Sequence, residues 1–140
     1  STPRAPGVEC LGFLRKDHPS EWARLLAAYR AANVFCLPTR FEPFGIVYLE
    51  AMFFGLPCVG PDAWAVPEMI ADGETGFLFP AGDVAALADR LERLLLDPSL
   101  ASRLGASGWR RARDFTWAAV VDRMMSRMEP LASRPALAAV

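Results

Sequence analysis

The chain has 140 residues, 53% of them apolar and 22% charged, with a formal net charge of -1. This size and composition suit one globular domain and exclude a disordered chain or an array of domains. The nearly balanced charge excludes the strongly basic surface of a general nucleic-acid binder. Since no apolar stretch could span a bilayer and residues 1–7 lack a signal-peptide pattern, we expect a cytoplasmic protein.

The cysteines and the histidine give no sign of a metal site. Cys10, Cys36 and Cys58 each stand beside apolar residues where a strand is expected, so we interpret them as small core residues. The single histidine, His18, lies in a predicted loop. A lone loop histidine argues against a catalytic dyad within this chain.

The first quarter of the chain predicts a strand and then a helix. Residues 8–14 form an apolar run typical of a strand, and Ser20 is placed to cap the helix. The apolar face of that helix repeats every three or four residues, at Trp22, Leu25, Leu26 and Tyr29.

The middle of the chain continues this alternation. Residues 34–37 form a continuous apolar run, typical of a parallel strand buried on both faces. A loop over residues 39–43 leads to a helix that ends near Gly55, and residues 57–60 form the next strand. A turn then precedes a fourth strand at residues 77–79.

Helices dominate the last third. Asp83 is placed to cap one helix, Asp97-Pro98 ends it and starts another, and Thr116 caps a last helix over residues 116–129. Residues 130–140 are predicted to be a frayed tail. Apolar stripes mark the first and last of these helices, at Leu87, Leu91, Leu94 and Leu95, and at Trp117, Val120, Val121, Met124 and Met128. The alternating elements predict an α/β fold with a parallel sheet and helices on both faces.

Glu50 lies in an otherwise apolar helix, where an ionised carboxylate is costly without a partner. Two interpretations remain open. In the first, Glu50 pairs with an arginine such as Arg40 or lies on the exposed edge of the helix. In the second, it faces a cleft and accepts hydrogen bonds from ligand hydroxyls.

Glu42 and Gly45 stand where a parallel strand gives way to a helix, which is the edge at which open α/β sheets bind ligands. Glu42 alone would be explained by the helix dipole. Gly45 lets a ligand approach the backbone, and amide groups at a helix N-terminus attract phosphate. Carboxylates for hydroxyls and amides for phosphate together match a nucleotide-linked sugar.

Residues 42–50, EPFGIVYLE, contain two glutamates separated by seven residues and resemble the motif of family 4 retaining glycosyltransferases of the GT-B fold. Other segments agree with that family in order and spacing, over about residues 8–129: residues 8–14, 32–39, 55–59, 67–68, 72–78, 82–83 and 115–117. The resemblance implies the C-terminal part of a GT-B fold, with a partial doubly wound, Rossmann-like sheet in a single partial domain over residues 1–140.

The resemblance also implies roles for individual residues. Glu42 would be catalytic, contacting the donor sugar and supporting the charge that develops at its anomeric carbon. Glu50 would bind the ribose hydroxyls, and Leu14 would meet the base through its backbone. Backbone amides would hold sugar and diphosphate oxygens at Phe44, Gly45 and Ile46. The donor would be a UDP-, GDP- or ADP-linked sugar, and we expect no metal and no further cofactor.

The predicted function is transfer of a hexosyl group from a nucleotide-diphosphate sugar to an acceptor hydroxyl with retention. This chain would be the donor-binding part and inactive alone, because the acceptor site would belong to an N-terminal GT-B domain. The basic pair that neutralises the diphosphate in the family would lie upstream of residue 8. The alternatives are a non-catalytic nucleotide-sugar-binding or assembly module and a nucleotide-sugar epimerase.

Two departures from the family pattern bear on partners. Trp64 stands where the family often has glycine, so it is either a wall of the sugar or acceptor site or a side chain packed on its own domain. The strands that normally separate residues 8–14 from residues 34–37 are missing. We expect these two strands to pair directly, or another chain to supply the missing edge.

Two surfaces could bind further partners. The sheet edge or the last helix would support self-association. A cluster of arginines is either a basic face that docks on the inner surface of a membrane or a solvated helix face, formed by Arg103, Arg110, Arg111 and Arg113.

Overall fold

A computed structural model describes residues 5–132 of the chain. Its strands are β1 (Phe35–Cys36), β2 (Cys58–Pro61) and β3 (Gly76–Phe79), and its helices are α1 (Pro19–Ala31), α2 (Ile46–Phe53), α3 (Val66–Met69), α4 (Val84–Leu96), α5 (Pro98–Ala112) and α6 (Trp117–Ala132). A short 3₁₀ turn, Arg113–Phe115, joins α5 to α6. Within the described residues the chain forms two compact units, divided between Ala32 and Asn33. Its assignment to a single partial domain stays a prediction.

The first unit contains α1, as predicted, but the helix begins differently. It starts at Pro19, preceded by His18, and Ser20 lies inside the first turn, so the predicted Ser20 cap is wrong. Proline suits this first position because its fixed φ is helical and its missing N–H would have no partner there.

The predicted strand at residues 8–14 is wrong. This segment has no regular secondary structure, and Gly12 has a φ of 75°, a left-handed conformation that interrupts an extended chain. Cys10 is exposed and so is not a core residue, and Phe13 is 89% exposed. Because the segment is not a strand, its direct pairing with residues 34–37 is wrong as well. Supply of the missing edge by another chain stays a prediction.

The second unit contains a parallel sheet in the order β1-β2-β3. Successive side chains of β2 point to opposite faces. Val59 packs in a core cluster with Leu94 of α4, while the Sγ of Cys58 lies 3.7 Å from the carbonyl oxygen of Tyr48 in α2. The predicted parallel sheet with helices on both faces is therefore confirmed. β1 is half-buried rather than buried, because it lies at the edge of the sheet among the described strands.

The helix boundaries in this unit follow the sequence signals. The Oδ1 atoms of Asp83 and Asp97 accept backbone N–H groups of Ala86 and Leu100, each at 2.9 Å, at the starts of α4 and α5. Leu95 departs from the predicted stripe of α4, since it is 59% exposed.

The last helix, α6, is longer than predicted. Thr116 caps it as expected, since its Oγ1 accepts the amide of Ala119 at 3.4 Å. The helix runs through residues 130–132, which the frayed-tail prediction included, and residues 133–140 lie outside the described part. Its apolar side is exposed at Trp117, Val121, Met124 and Met128. Within residues 5–132, every helix is too short or too polar to cross a membrane.

Glycines let α5 approach α2 and the turn that follows it. A Cβ at Gly105 would overlap the backbone carbonyl of Gly55, and a Cβ at Gly108 would lie 3.2 Å from the Cγ of Met52. Gly55 ends α2 in a left-handed conformation, with a φ of 73°. The position of α2 therefore depends on the absence of side chains on one side of α5.

We predict that Gly105→Ala destabilises the protein by about 1–3 kcal/mol, because backbone atoms must move to make room for the methyl group. The result would run against helix propensity, which favours alanine over glycine by about 1 kcal/mol. Urea unfolding of the full-length protein measures the change, with the exposed Ser102→Ala of the same helix as control. Equal stability of Gly105→Ala and the wild type would contradict this packing argument.

Candidate functional site

The loop between β1 and α2 lies at the carboxyl edge of the parallel sheet. Thr39 shapes its first part, because the Oγ1 atom donates to the carbonyl of Phe41 at 2.8 Å and accepts the amide of Phe41 at 3.2 Å. The loop after β2 meets it where the amide of Ala65 donates to the carbonyl of Glu42 at 3.4 Å. The two loops thus form one surface at this edge.

Gly45 makes the turn into α2. It is buried and left-handed, with φ 69° and ψ 15°, and a Cβ at this position would lie 3.0 Å from the Cγ of Met69. A side chain here would meet both a backbone conformation that L-residues rarely adopt and a packed neighbour. The fold itself therefore favours glycine at position 45, in addition to the predicted approach of a ligand to its backbone.

Glu42 folds back onto the start of α2. Its Oε1 accepts the amide of Gly45 at 3.0 Å and the amide of Phe44 at 3.3 Å. These are two of the three amides that the sequence assigned to sugar and diphosphate oxygens. In this arrangement Glu42 stabilises the helix N-terminus, as its dipole favours. The catalytic role of Glu42 and the ligand contacts of these amides stay predictions.

Glu50 and Ile46 lie one turn apart on α2, and residues four apart share one face of a helix. Ile46 is the first residue of the helix and its side chain is 59% exposed, while Glu50 is half-buried. Glu42 thus lies just before α2, and Glu50 is the fifth of its eight residues, in the second turn. Their assignment to a donor sugar and a ribose stays a prediction.

Tyr48, between the two glutamates, is a structural residue that sequence reasoning missed. Its side chain is fully buried, its hydroxyl donates to the carbonyl of Leu37 at 2.7 Å, and its ring meets Phe35 edge to face at 5.5 Å. A Cβ at Gly60 would lie 2.7 Å from the hydroxyl oxygen. The sequence did contain a signal, since Tyr48 lies in an otherwise apolar helix. A buried tyrosine needs a hydrogen-bond partner for its hydroxyl, so this position indicated a buried polar contact.

Arg111 supports the second loop, which was not predicted to contain a helix. Its Nε donates to the carbonyl of Met69 at 2.8 Å and its Nη2 to the carbonyl of Glu68 at 2.7 Å, at the end of α3. These carbonyls have no partner within the helix. Of the predicted basic face, Arg111 is therefore engaged in holding α3, and the guanidinium of Arg113 lies 5.1 Å from the ring of Trp109.

A cavity of about 480 Å³ opens beside these loops. Its lining includes Arg40 from the loop after β1, Trp64 from the loop after β2 and Asp83 at the start of α4. Trp64 has a φ of 54°, a left-handed conformation that costs a residue with a side chain about 1–2 kcal/mol. Trp64 lines this cavity and its ring packs against Phe41 of the same unit. Its role as a wall of the sugar or acceptor site stays a prediction.

Leu14 belongs to the first unit. It is half-buried and lines a local depression together with Phe13, Arg15, Lys16 and Asp17. Its predicted contact with the base stays a prediction. Over residues 5–132, no group of three or more His, Cys, Asp and Glu side chains could hold a metal ion.

We predict that Gly45→Ala destabilises the protein by about 2 kcal/mol, through the left-handed backbone and the contact with Met69. Gly55→Ala is the matched control, because Gly55 has a φ of 73° but a Cβ added there would meet no atom within 4 Å beyond its chain neighbours. It should lose about 1 kcal/mol. Thermal unfolding of both variants measures the difference, and equal losses would show that the Met69 contact has no effect.

Tyr48→Phe should cost about 1–2 kcal/mol at neutral pH, because the carbonyl of Leu37 loses its buried donor. Burial raises the pKa of Tyr48 above its ordinary value of 10.0 and raises the pKa of the Cys58 thiol above 9.0. Folding thus favours the protonated forms, and this stabilisation is complete below those ordinary values and is lost as the pH rises above them.

Denaturant unfolding between pH 7 and pH 11 tests this prediction. The wild-type protein should lose stability from about pH 9 upwards, and Tyr48→Phe should lose less above pH 10. Substitution of the exposed Cys10 by alanine should leave the alkaline profile of the wild type unchanged. The same alkaline slope in Tyr48→Phe and the wild type would contradict the assigned role of the hydroxyl.

Comparison with known proteins identifies the family of this chain. Residues 18–111 match the family model Glycosyl transferases group 1. The chain is 44% identical over 108 residues to a phosphatidyl-myo-inositol mannosyltransferase of Mycobacterium leprae, covering 76% of this chain and 29% of that protein. It is 39% identical over 114 residues to a D-inositol 3-phosphate glycosyltransferase of Corynebacterium efficiens, covering 81% and 26%.

A solved structure has the same fold. The chain resembles the sucrose-phosphate synthase of Thermosynechococcus elongatus with a TM-score of 0.69 and 36% identity, over 81% of this chain and 28% of that one. The chain thus spans less than a third of the length of each of these proteins. Because the family model covers more than half of the chain and the fold agrees, this chain belongs to the group 1 glycosyl transferases and has part of their GT-B fold.

Proposed function

We propose that this chain is the donor-binding part of a retaining glycosyltransferase that moves a hexosyl group from a nucleotide-diphosphate sugar to an acceptor hydroxyl. The observation that carries the proposal is the arrangement at the start of α2. Glu42 is held by the amides of Phe44 and Gly45, and Glu50 follows in the second turn of the same helix. Membership of the family supports a transfer reaction.

In this proposal Glu42 presents its carboxylate to the donor. The two amide bonds both go to Oε1, which leaves Oε2 to accept hydroxyl groups of the sugar. A carboxylate fixed in this way also supports positive charge that develops at the anomeric carbon. The diphosphate binds nearer the amide of Ile46, the first residue of α2, where the helix dipole favours negative charge.

The reaction proceeds with retention. The bond between the anomeric carbon and the diphosphate oxygen breaks, and the diphosphate leaves with the bonding electrons. The acceptor oxygen attacks the same face of the sugar and forms the new glycosidic bond, and its proton passes to the departing phosphate oxygen. No metal is needed for this transfer of charge and proton. The acceptor binds mainly to a part of the protein outside this chain.

The two curated relatives indicate the class of acceptor. One is named for phosphatidyl-myo-inositol and the other for D-inositol 3-phosphate. Both acceptors carry a six-membered ring with several hydroxyl groups. We therefore propose a polyhydroxylated acceptor for this protein too.

We predict that Glu42→Gln lowers kcat at least about 100-fold while the Kd for the nucleotide sugar changes little, because glutamine keeps the amide contacts but loses the charge. Glu50→Gln should weaken nucleotide binding about 10-fold or more, because the amide oxygen is a poorer acceptor for the ribose hydroxyls than a carboxylate. The full-length protein is titrated with UDP-, GDP- and ADP-linked sugars by calorimetry, and transfer is followed by product analysis.

The exposed Glu92→Gln of α4 is the matched control for loss of one negative charge. Unchanged affinity and turnover in both site variants would refute the assignment of the two glutamates. Binding without transfer by the wild type would support a non-catalytic module, a 2-epimer product would support an epimerase, and an inverted product would contradict retention.

A further inference from the structure

The cavity beside the Glu42 loop has the size and chemistry of a ligand site. Its volume of about 480 Å³ lies within the range of small-molecule pockets, about 300–1,000 Å³. It opens at the carboxyl edge of the sheet and is lined by residues of three elements that meet there. Arg40 comes from the same loop as Glu42, two residues before it, so this cavity adjoins the proposed donor site.

Trp64 is the largest side chain on the cavity wall. Its indole packs edge to face on Phe41, with ring centroids 5.9 Å apart and planes at 78°, and the residue is 46% exposed. Its φ of 54° lies in the region that disfavours bulky residues. The side chain is outside the core cluster that joins the sheet to α4 and α5. Stability of the core therefore does not account for a tryptophan in this conformation.

The polar residues on the wall complement a hydroxylated ring. Arg40 supplies only hydrogen-bond donors, while Asp83 supplies only acceptors: its Oδ1 accepts the amide of Ala86, and its Oδ2 is the oxygen for a ligand. A hydroxyl group both donates and accepts, so neighbouring hydroxyls of one ring can satisfy both residues. The C–H face of a sugar ring is apolar, and an exposed indole is the kind of surface that such a face covers.

We propose that this cavity is a subsite for a polyhydroxylated six-membered ring, a hexose or a cyclitol, which stacks on Trp64 between Arg40 and Asp83. The inference rests on the proposed function and names a specificity-determining residue for it. The ring has two possible sources, the sugar of the donor and the ring of the acceptor. Both present the same chemistry, and separate binding constants for donor and acceptor distinguish them.

The test uses Trp64→Gly in the full-length protein. Glycine adopts the left-handed backbone without strain, so the variant should fold as well as the wild type, and a loss of affinity reports the missing indole. Trp64→Phe retains an aromatic face and should recover part of the loss. Trp109→Ala removes a half-exposed indole from α5 and is the matched control.

If the ring belongs to the donor sugar, the Kd for the nucleotide sugar should rise about 10-fold in Trp64→Gly, while the Kd for the nucleoside diphosphate alone should be unchanged. If the ring belongs to the acceptor, the KM for the acceptor should rise about 10-fold in Trp64→Gly, while the Kd for the donor should be unchanged. Asp83→Asn should weaken the same step, and it keeps a residue that caps α4 well. Either result supports the proposal.

Suppose that the wild-type protein transfers sugar, and that Trp64→Gly changes both the Kd for the nucleotide sugar and the KM for the acceptor by less than twofold. This result would overturn the subsite and leave the proposed function intact. A folded wild-type protein that neither binds nucleotide sugars nor transfers sugar would overturn both proposals. Equal losses in Trp64→Gly and Trp109→Ala would also overturn the subsite, because the effect would not depend on the cavity.

Discussion

The buried hydrogen bond from Tyr48 to the carbonyl of Leu37 fixes α2 against the end of β1. The other features of the candidate site depend on this contact, because it sets how far the connecting loop must reach and where the helix N-terminus points. The loop ends at Gly45, whose backbone is left-handed. The carboxylate of Glu42 in the same loop accepts hydrogen bonds from two backbone amides. Glu42 is thus held at the start of the helix that carries Glu50 in its second turn. The buried phenol of Tyr48 lies on the same helix and holds it against the end of β1.

The helix is also held by its contact with α5. Gly105 and Gly108 bring α5 close to Gly55 and Met52, and Arg111 of the same helix holds the carbonyls at the end of α3. One helix therefore holds both α2 and α3, the helices that follow the two loops at the cavity. Arg111, for which the sequence left open a membrane-docking face or a solvated helix face, thus has a structural role. A guanidinium offers several donors in a fixed plane, which suits two neighbouring carbonyls that a helix leaves unpaired.

Under the proposed function, the side chain of Glu42 would combine a structural and a catalytic role. Its bonds to the amides of Phe44 and Gly45 stabilise the turn, which is the simplest interpretation of an acid before a helix. The same bonds fix the carboxylate in position, and a preorganised charge is what stabilisation of a transition state requires. In the proposed function, the hydrogen bonds that stabilise the turn would therefore also serve catalysis at Glu42. By contrast, Trp64 on the cavity wall places a bulky side chain on a left-handed backbone, which disfavours it.

The amino-acid sequence alone determined where α4, α5 and the parallel strands form. Their signals are apolar runs and helix caps such as Asp83, which act through neighbouring residues. The order of the two glutamates along the chain was visible for the same reason. Only the tertiary structure decided the rest. Residues 8–14 form no strand, since strand formation needs a partner and not only an apolar run. Likewise, the partners of Tyr48 and Arg111 are 11 and more than 40 residues away, and no local pattern identifies a contact that long-range packing creates.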